Sequence, residues 1–213
     1  MVARMKKKLK YLIGVDEAGR GPLAGPITVA ALAVKLKTNP SSRAKLATGQ
    51  GNLKLKIFKG IRDSKKFSEK QREEWFARLK KLKNEGVIDY AVSFSGAKII
   101  DEKGIVVAVR RALARAIRRI NVHPNSCQIL LDGTLYAPPK YKNQKTIIRG
   151  DDNVPIIAAA SIIAKVRRDR RMKRLAKKFP KYGFEIHKGY GTRAHYRALK
   201  KLGPSEIHRR SFL

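Results

Sequence analysis

Apolar positions along the chain follow two alternating periods. Residues 11–16 and 26–36 are nearly continuous apolar runs of strand length, joined by a glycine-rich loop. Val87–Ser95 alternates like a half-buried strand. Gln128–Leu131 and Thr146–Ile148 are short buried strands that end at Asp132-Gly133 and Arg149-Gly150-Asp151. Between them the spacing turns helical. Ser68 and Glu69 open a capped amphipathic helix carrying Trp75, Phe76, Leu79 and Leu82. Ile99–Ile120 places Ile105, Val106, Val109, Leu113 and Ala116 on one face and basic residues on the other. Pro155–Phe179 starts apolar, becomes heavily basic and is stopped by Pro180. Arg193–Leu202 predicts a last short helix, and residues 37–60, rich in Gly, Ser, Asn and Pro, a loop. Strands interleaved with helices predict an α/β fold. With no repeat and no linker, residues 1–213 read as one domain behind a basic extension of about ten residues.

Charge then narrows the partners. The 213 residues include 50 Lys and Arg against 16 Asp and Glu, a net charge of +34, yet 43% are hydrophobic. That is a folded body with a basic surface, not a disordered tail. Such an excess repels itself unless a polyanion is near, and nucleic acid is the usual one. No stretch approaches the roughly 20 apolar residues that span a bilayer, and residues 1–10 lack a secretory core. The single cysteine, Cys127, precludes an internal disulfide and suits a reducing cytoplasm.

With so few acids, each can be weighed. Glu69, Glu73, Glu74 and Glu85 sit in polar contexts and read as solvated. Asp16, Glu17, Asp132 and Asp151 all follow strand-like apolar runs and lie beside or near glycine. Adjacent carboxylates at a strand tip disfavour folding unless a cation or a proton takes up their charge. They are either counter-charges to nearby Lys and Arg or a hard-cation site. Four of them favour the second, and oxygen-only ligands favour Mg²⁺ or Mn²⁺ over zinc. Asp152 reads as favouring the start of the helix at Pro155, and Asp169 as an ion pair. His123 and His208 read as surface residues, and His187 stays a candidate.

The ordered motifs resemble ribonuclease HII over about Tyr11 to Phe212: Asp-Glu-Ala-Gly-Arg-Gly-Pro-Leu-Ala-Gly-Pro at 16–26, Asp-Ser-Lys-Lys at 63–66 and Leu-Leu-Asp-Gly at 130–133. Gly-Asp at 150–151 with Ala-Ala-Ala-Ser-Ile-Ile-Ala-Lys-Val at 158–166, His-Lys-Gly-Tyr-Gly-Thr at 187–192 and His-Arg-Arg-Ser-Phe at 208–212 complete the set. The resemblance implies a ribonuclease H-like fold, a mixed five-stranded sheet flanked by helices, with a small helical C-terminal part at about 180–213. It implies Asp16, Glu17, Asp132 and Asp151 as catalytic metal ligands for Mn²⁺ or Mg²⁺. The Gly19-Arg20-Gly21 backbone would contact the ribose 2′-hydroxyl and Tyr190 the next sugar, while Lys65, Ser161 and Lys165 would hold phosphates. From the residues alone, Ser161 and Lys165 also fit a polar helical stripe, and Tyr190 a core aromatic.

The implied activity is metal-dependent cutting of the RNA strand of RNA–DNA hybrids and of single ribonucleotides in duplex DNA, by a cytoplasmic monomer, leaving 5′-phosphate and 3′-hydroxyl ends. Gly104 stands where that family commonly has Asn, and residues 37–60 look long and basic for it. Ribonuclease HIII is the sister alternative, disfavoured by the short stretch before the first strand. A non-catalytic basic nucleic-acid-binding protein is the alternative from another class, but nothing in that role requires four strand-end acids.

Overall fold

The computed structural model describes residues 9–36, 56–61 and 64–213. Residues 1–8 of the basic extension, residues 37–55 of the expected loop and the side chain of Lys65 lie outside them. Five strands form one mixed sheet: β1 (Tyr11–Ala18), β2 (Ile27–Lys35), β3 (Ile88–Ser95), β4 (Cys127–Asp132) and β5 (Gln144–Ile147). Their order is β3-β2-β1-β4-β5, with β3, β2 and β1 antiparallel and β1, β4 and β5 parallel. The described helices are α1 (Glu69–Asn84), α2 (Ala97–Ile120), α3 (Gly150–Asn153), α4 (Pro155–Lys178), α5 (Phe184–His187) and α6 (Arg193–Leu202).

Because the sheet is covered on both faces, β1 and β2 are apolar throughout instead of alternating. Ile13, Val15, Ile27, Val29 and Ala31 pack against Val109, Leu113 and Ile117 of α2. Leu12, Ala30, Leu32 and Val34 pack against Ile156 and Ile163 of α4 and Phe76 and Leu79 of α1. Close approach is decisive at Gly14, where a Cβ would lie 2.4 Å from the Ile156 carbonyl oxygen. α4 can therefore rest on β1 only above a glycine.

Ser68 and Gln71 close a reciprocal capping box at the start of α1. The solvated-face reading of Glu69 and Glu73 needs amendment, since each pairs with α4: Glu69 with Lys173 and Glu73 with Arg170, both at 2.5 Å. The helix expected from Ile99 starts at Ala97 and is broken at Gly104, where φ is 77° and ψ 159°. A Cβ there would meet nothing within 4 Å. The break is thus conformational, drawn to the residue for which left-handed φ costs least.

β3 forms an edge of the sheet. Its carbonyls of Tyr90, Val92 and Phe94 accept from Lys83 at 2.7 Å, Arg119 at 2.8 Å and Arg115 at 2.7 Å. A third cluster (Ala24, Met172, Ala176 and Phe184) joins the C-terminal residues to the second half of α4. Asp101 of α2 fixes the chain end by accepting from the backbone of Arg210 and Ser211, each at 3.0 Å. No helix among the described residues is long and apolar enough to cross a membrane.

Candidate active site

Parallel pairing of β1 with β4 sets Val15 beside Leu131, so Asp16 and Asp132 leave the ladder side by side. The turn after β5 brings in Asp151. Oxygens of Asp16, Asp132 and Asp151 all lie within 4.8 Å of one another, which suits an oxygen-liganded cation. Glu17 lies outside that set, because successive strand residues point to opposite faces. Its Oε1 accepts from Arg20 Nε at 3.1 Å, and its buried Oε2 has no hydrogen-bond partner among the described residues.

The surroundings hold these carboxylates in place. Burial, then Glu17, then Asp132, drive the Asp16 carboxyl well above the usual carboxylate range, while the Ser161 hydroxyl and the Glu17 backbone pull it down. Burial also raises Glu17, opposed by Arg20 and helped by Asp132. Asp132 Oδ1 accepts the Gly150 N–H at 2.7 Å. A Cβ on Gly150 would lie 2.7 Å from Ile157 Cδ1 and 3.3 Å from that oxygen. The preceding residue, Arg149, is held at φ 53°, a strained conformation for a residue with a side chain.

These acids destabilise one another until positive charge arrives. Added Mn²⁺ or Mg²⁺ is therefore expected to raise the melting temperature, by about 2.7 kcal/mol of stability at a hundredfold excess over Kd. The rise should shrink in Asp16→Asn. A melting temperature indifferent to either ion would show that the cluster does not bind it.

Two fully buried arginines shape the adjoining loop. Arg209 donates to the carbonyls of Gly25 at 3.0 Å, Arg20 at 2.9 Å and Gly19 at 2.7 Å. Arg168 donates to Pro26 and Ala24, and a Cβ on Gly19 (φ 94°) would lie 2.0 Å from its Nε. In a trans peptide the N–H opposes the C=O. Gripping the Gly19 and Arg20 carbonyls from inside thus turns the Arg20 and Gly21 N–H groups outward, where both residues are exposed. In the sequence Arg209 appears only within the His-Arg-Arg-Ser-Phe motif, with no role assigned, and Arg168 as one more basic residue. The positive φ at Gly19 and the close packing of Arg168 against it both explain why a glycine is required there.

The remaining expected residues separate. Tyr190 is 40% exposed and lies over the cations of Lys165 at 5.6 Å and Arg168 at 5.5 Å, so it is not a core aromatic. Ser161 is buried and shares a 2.8 Å hydrogen bond with Ser64 while bonding Asp16. Lys165 pairs with Asp169 at 2.8 Å, as expected of Asp169. Asp152 does not act at the start of α4; it accepts from Lys66 and Arg149, and no side chain caps that helix. Two strong cation partners within reach outweigh a dipole.

His208 is buried, not on the surface, and joins His187 and His195 in one cluster around Phe184. His208 Nδ1 accepts from Ser205 N–H at 2.9 Å, so its Nε2–H donates to His195 Nε2, also at 2.9 Å. His195 Nδ1–H then donates to the Tyr190 carbonyl at 2.9 Å. This chain closes only with neutral rings. Burial followed by the neighbouring His195 pushes His208 down to about 4, and burial lowers His195. Imidazoles with depressed folded values stabilise the protein fully above about 6.5, the unfolded value. That contribution disappears as pH falls toward about 4. Urea midpoints measured across this window should fall steeply in the wild type and less in His208→Gln. Parallel curves would disprove the assignment.

A family model described as Ribonuclease HII matches residues 13–213. Ribonuclease HII of Caldicellulosiruptor bescii is 42% identical over 205 residues, spanning 96% of this chain and 87% of that protein. The Clostridium perfringens protein of the same name is 44% identical over 204 residues, spanning 96% and 67%. Among solved structures, the PCNA:RNase HII complex from Archaeoglobus fulgidus aligns with a TM-score of 0.69 at 25% identity, over 95% of each chain. The Mn²⁺ complex of Bst-RNase HIII shares the fold, with a TM-score of 0.59 at 18% identity over 96% and 68%.

Proposed function

The chain belongs to the ribonuclease HII family and is a metal-dependent ribonuclease H, and on that premise we propose that it cuts both RNA–DNA hybrids and single ribonucleotides embedded in duplex DNA. Cleavage falls on the 5′ side of the ribonucleotide and leaves 5′-phosphate and 3′-hydroxyl ends. The observation that carries this reading is the convergence of Asp16, Asp132 and Asp151 beside the Gly19-Arg20-Gly21 loop.

Asp16, Asp132 and Asp151 would hold Mg²⁺ or Mn²⁺ through their clustered oxygens, and Glu17, set just outside that cluster, would be the fourth carboxylate of the site. Bound divalent ions supply an activated water and charge stabilisation at the leaving oxygen. The protein supplies position. Ser161 and Gly150 orient the Asp16 and Asp132 carboxylates. The outward N–H groups of Arg20 and Gly21 meet the ribose 2′-hydroxyl, the group that separates RNA from DNA at this point. The Tyr190 ring, backed by Lys165 and Arg168, packs on the adjoining deoxyribose. Lys65 and Lys165 would serve the phosphates, the buried Ser161 hydroxyl being already engaged by Asp16 and Ser64, and the enzyme acts as a monomer.

The test is a labelled duplex carrying one ribonucleotide, incubated with and without Mg²⁺ or Mn²⁺. A single metal-dependent cut 5′ to the ribonucleotide is expected, and an intact duplex under every metal would overturn the reading. Tyr190→Ala should slow this cut by about tenfold or more while leaving stability nearly unchanged. A loss of several kcal/mol in stability, on the scale of core aromatic truncation, would instead make the ring structural.

A further inference from the structure

Much of the basic surplus has no role in the site just described, and one part of it is organised. Arg111, Arg115, Arg118 and Arg119 lie on one side of α2, at spacings of three, four and seven to eight residues. Among the described residues the only ion pair of α2 joins Lys98 to Glu102, so no carboxylate answers these arginines. The nearby Asp89 is taken by Lys83 at 2.7 Å. Four like charges within reach of one another disfavour the free protein.

The sheet register locates this stripe relative to the acids. Asp16 pairs with Ala30, and Ala30 with Val92, whose carbonyl accepts from Arg119. Ala18 is likewise level with Thr28 and Phe94, which receives Arg115. Measured along the sheet, the two anchored arginines thus lie two strand spacings from Asp16, about 10 Å, while α2 itself covers the face opposite α4, whose Ser161 bonds Asp16. The stripe is therefore reached by duplex extending beyond the acids, not by the base pairs seated on them. Arg115 and Arg119 are anchored to β3, whereas Arg111 and Arg118 are exposed and make no hydrogen bond among the described residues.

We infer that this arginine stripe is an interaction surface for the phosphate backbone of duplex nucleic acid flanking the cleavage site, separate from the contacts at the ribonucleotide itself. The inference rests on the nuclease reading above only for what sits at the acids. From Arg111 to Arg119 the helix rises about 12 Å, a length facing about four phosphates of one strand at one per 3.4 Å. Guanidinium groups engage phosphate oxygens in pairs, which suits arginine better than lysine here. An anionic membrane is the weaker partner, because Val109, Leu113 and Ile117 of α2 are turned into the core and leave no apolar face to insert.

The test uses Arg111→Gln with Arg118→Gln, which spares both strand-anchoring arginines. Binding is measured in EDTA to all-DNA duplexes of about one and about three helical turns, roughly 10.5 base pairs each, across a salt series. For the longer duplex the slope of log affinity against log salt should become shallower by about 2, near 0.9 for each lost phosphate contact. Its affinity at low salt should fall tenfold or more, and Arg111→Lys with Arg118→Lys should restore both. One-turn binding and single-turnover cleavage of a one-turn substrate should be unchanged. An unaltered slope on the longer duplex overturns the inference. So does equal loss on the short one, which would place the stripe inside the cleavage groove, or loss confined to phosphatidylserine vesicles. A wild-type protein that fails to cleave with metal would count against the nuclease reading alone, since the binding arms require no cleavage.

Discussion

Asp132→Asn is expected to reduce cleavage by about a thousandfold or more, the upper scale for removing one preorganised electrostatic group from an active site. The substitution is nearly isosteric. Its amide oxygen can still accept the Gly150 N–H that Asp132 Oδ1 takes at 2.7 Å, so the turn carrying Asp151 stays in place. What disappears is a negative charge between Asp16 and Asp151. Its loss also eases the repulsion that raises Asp16, so stability should hold or increase slightly. Duplex affinity, supplied by the basic surface, should change less than about twofold. Single-turnover rates in Mg²⁺ and in Mn²⁺, beside an unfolding curve, decide the matter. Cleavage within tenfold of wild type would remove Asp132 from the ligand set.

The second large effect is expected at Arg209. Arg209→Met should lower stability by about 2–4 kcal/mol, since each buried carbonyl left without its donor costs about 1–3 kcal/mol, and three carbonyls depend on it. An opposing gain comes from removing a cation whose value burial and Arg168 push down to about 9. The bonds win, because all three acceptors belong to one tightly turned loop and lose their guanidinium donor together. Cleavage should suffer with stability, as the Arg20 and Gly21 N–H groups lose their direction. Urea unfolding with kcat and KM on a single-ribonucleotide duplex tests both. Stability within about 0.5 kcal/mol of wild type would mean that water replaces the guanidinium at no net cost.

The contrast between those two residues shows what the sequence made legible. Asp132 follows an apolar run and precedes glycine, a local pattern with few other uses, and the strands and long helices announced themselves through periodicity. Arg209 and Arg168 carry no such signal. An arginine reads as surface unless its partners are known, and these partners are carbonyls almost two hundred and more than a hundred and forty positions away in sequence. His208 was misplaced for the same reason: its burial depends on His195 and Phe184, which reach it only after the C-terminal turns fold back. Gly104 was singled out by sequence, but the helix break there was not foreseen, because apolar spacing continues across it while the backbone break needs only one permissive residue. Glu17 was grouped by sequence with Asp16, Asp132 and Asp151, whereas the structure converges the three aspartates and strand alternation sets Glu17 apart from them.

The cation-capped edge of β3 bears on how the protein behaves in a crowd. An open strand edge is a template on which another chain can add itself, and nucleic acid gathers basic proteins to high local concentration. On β3 the acceptors at Tyr90, Val92 and Phe94 are already occupied, each by a positive charge. A second copy approaching that edge would have to displace three cations and meet the repulsion of a chain carrying +34. At the opposite edge, β5 offers only four residues. Molecules crowded along one polyanion can therefore remain separate and soluble, where an uncapped sheet of this kind would invite aggregation.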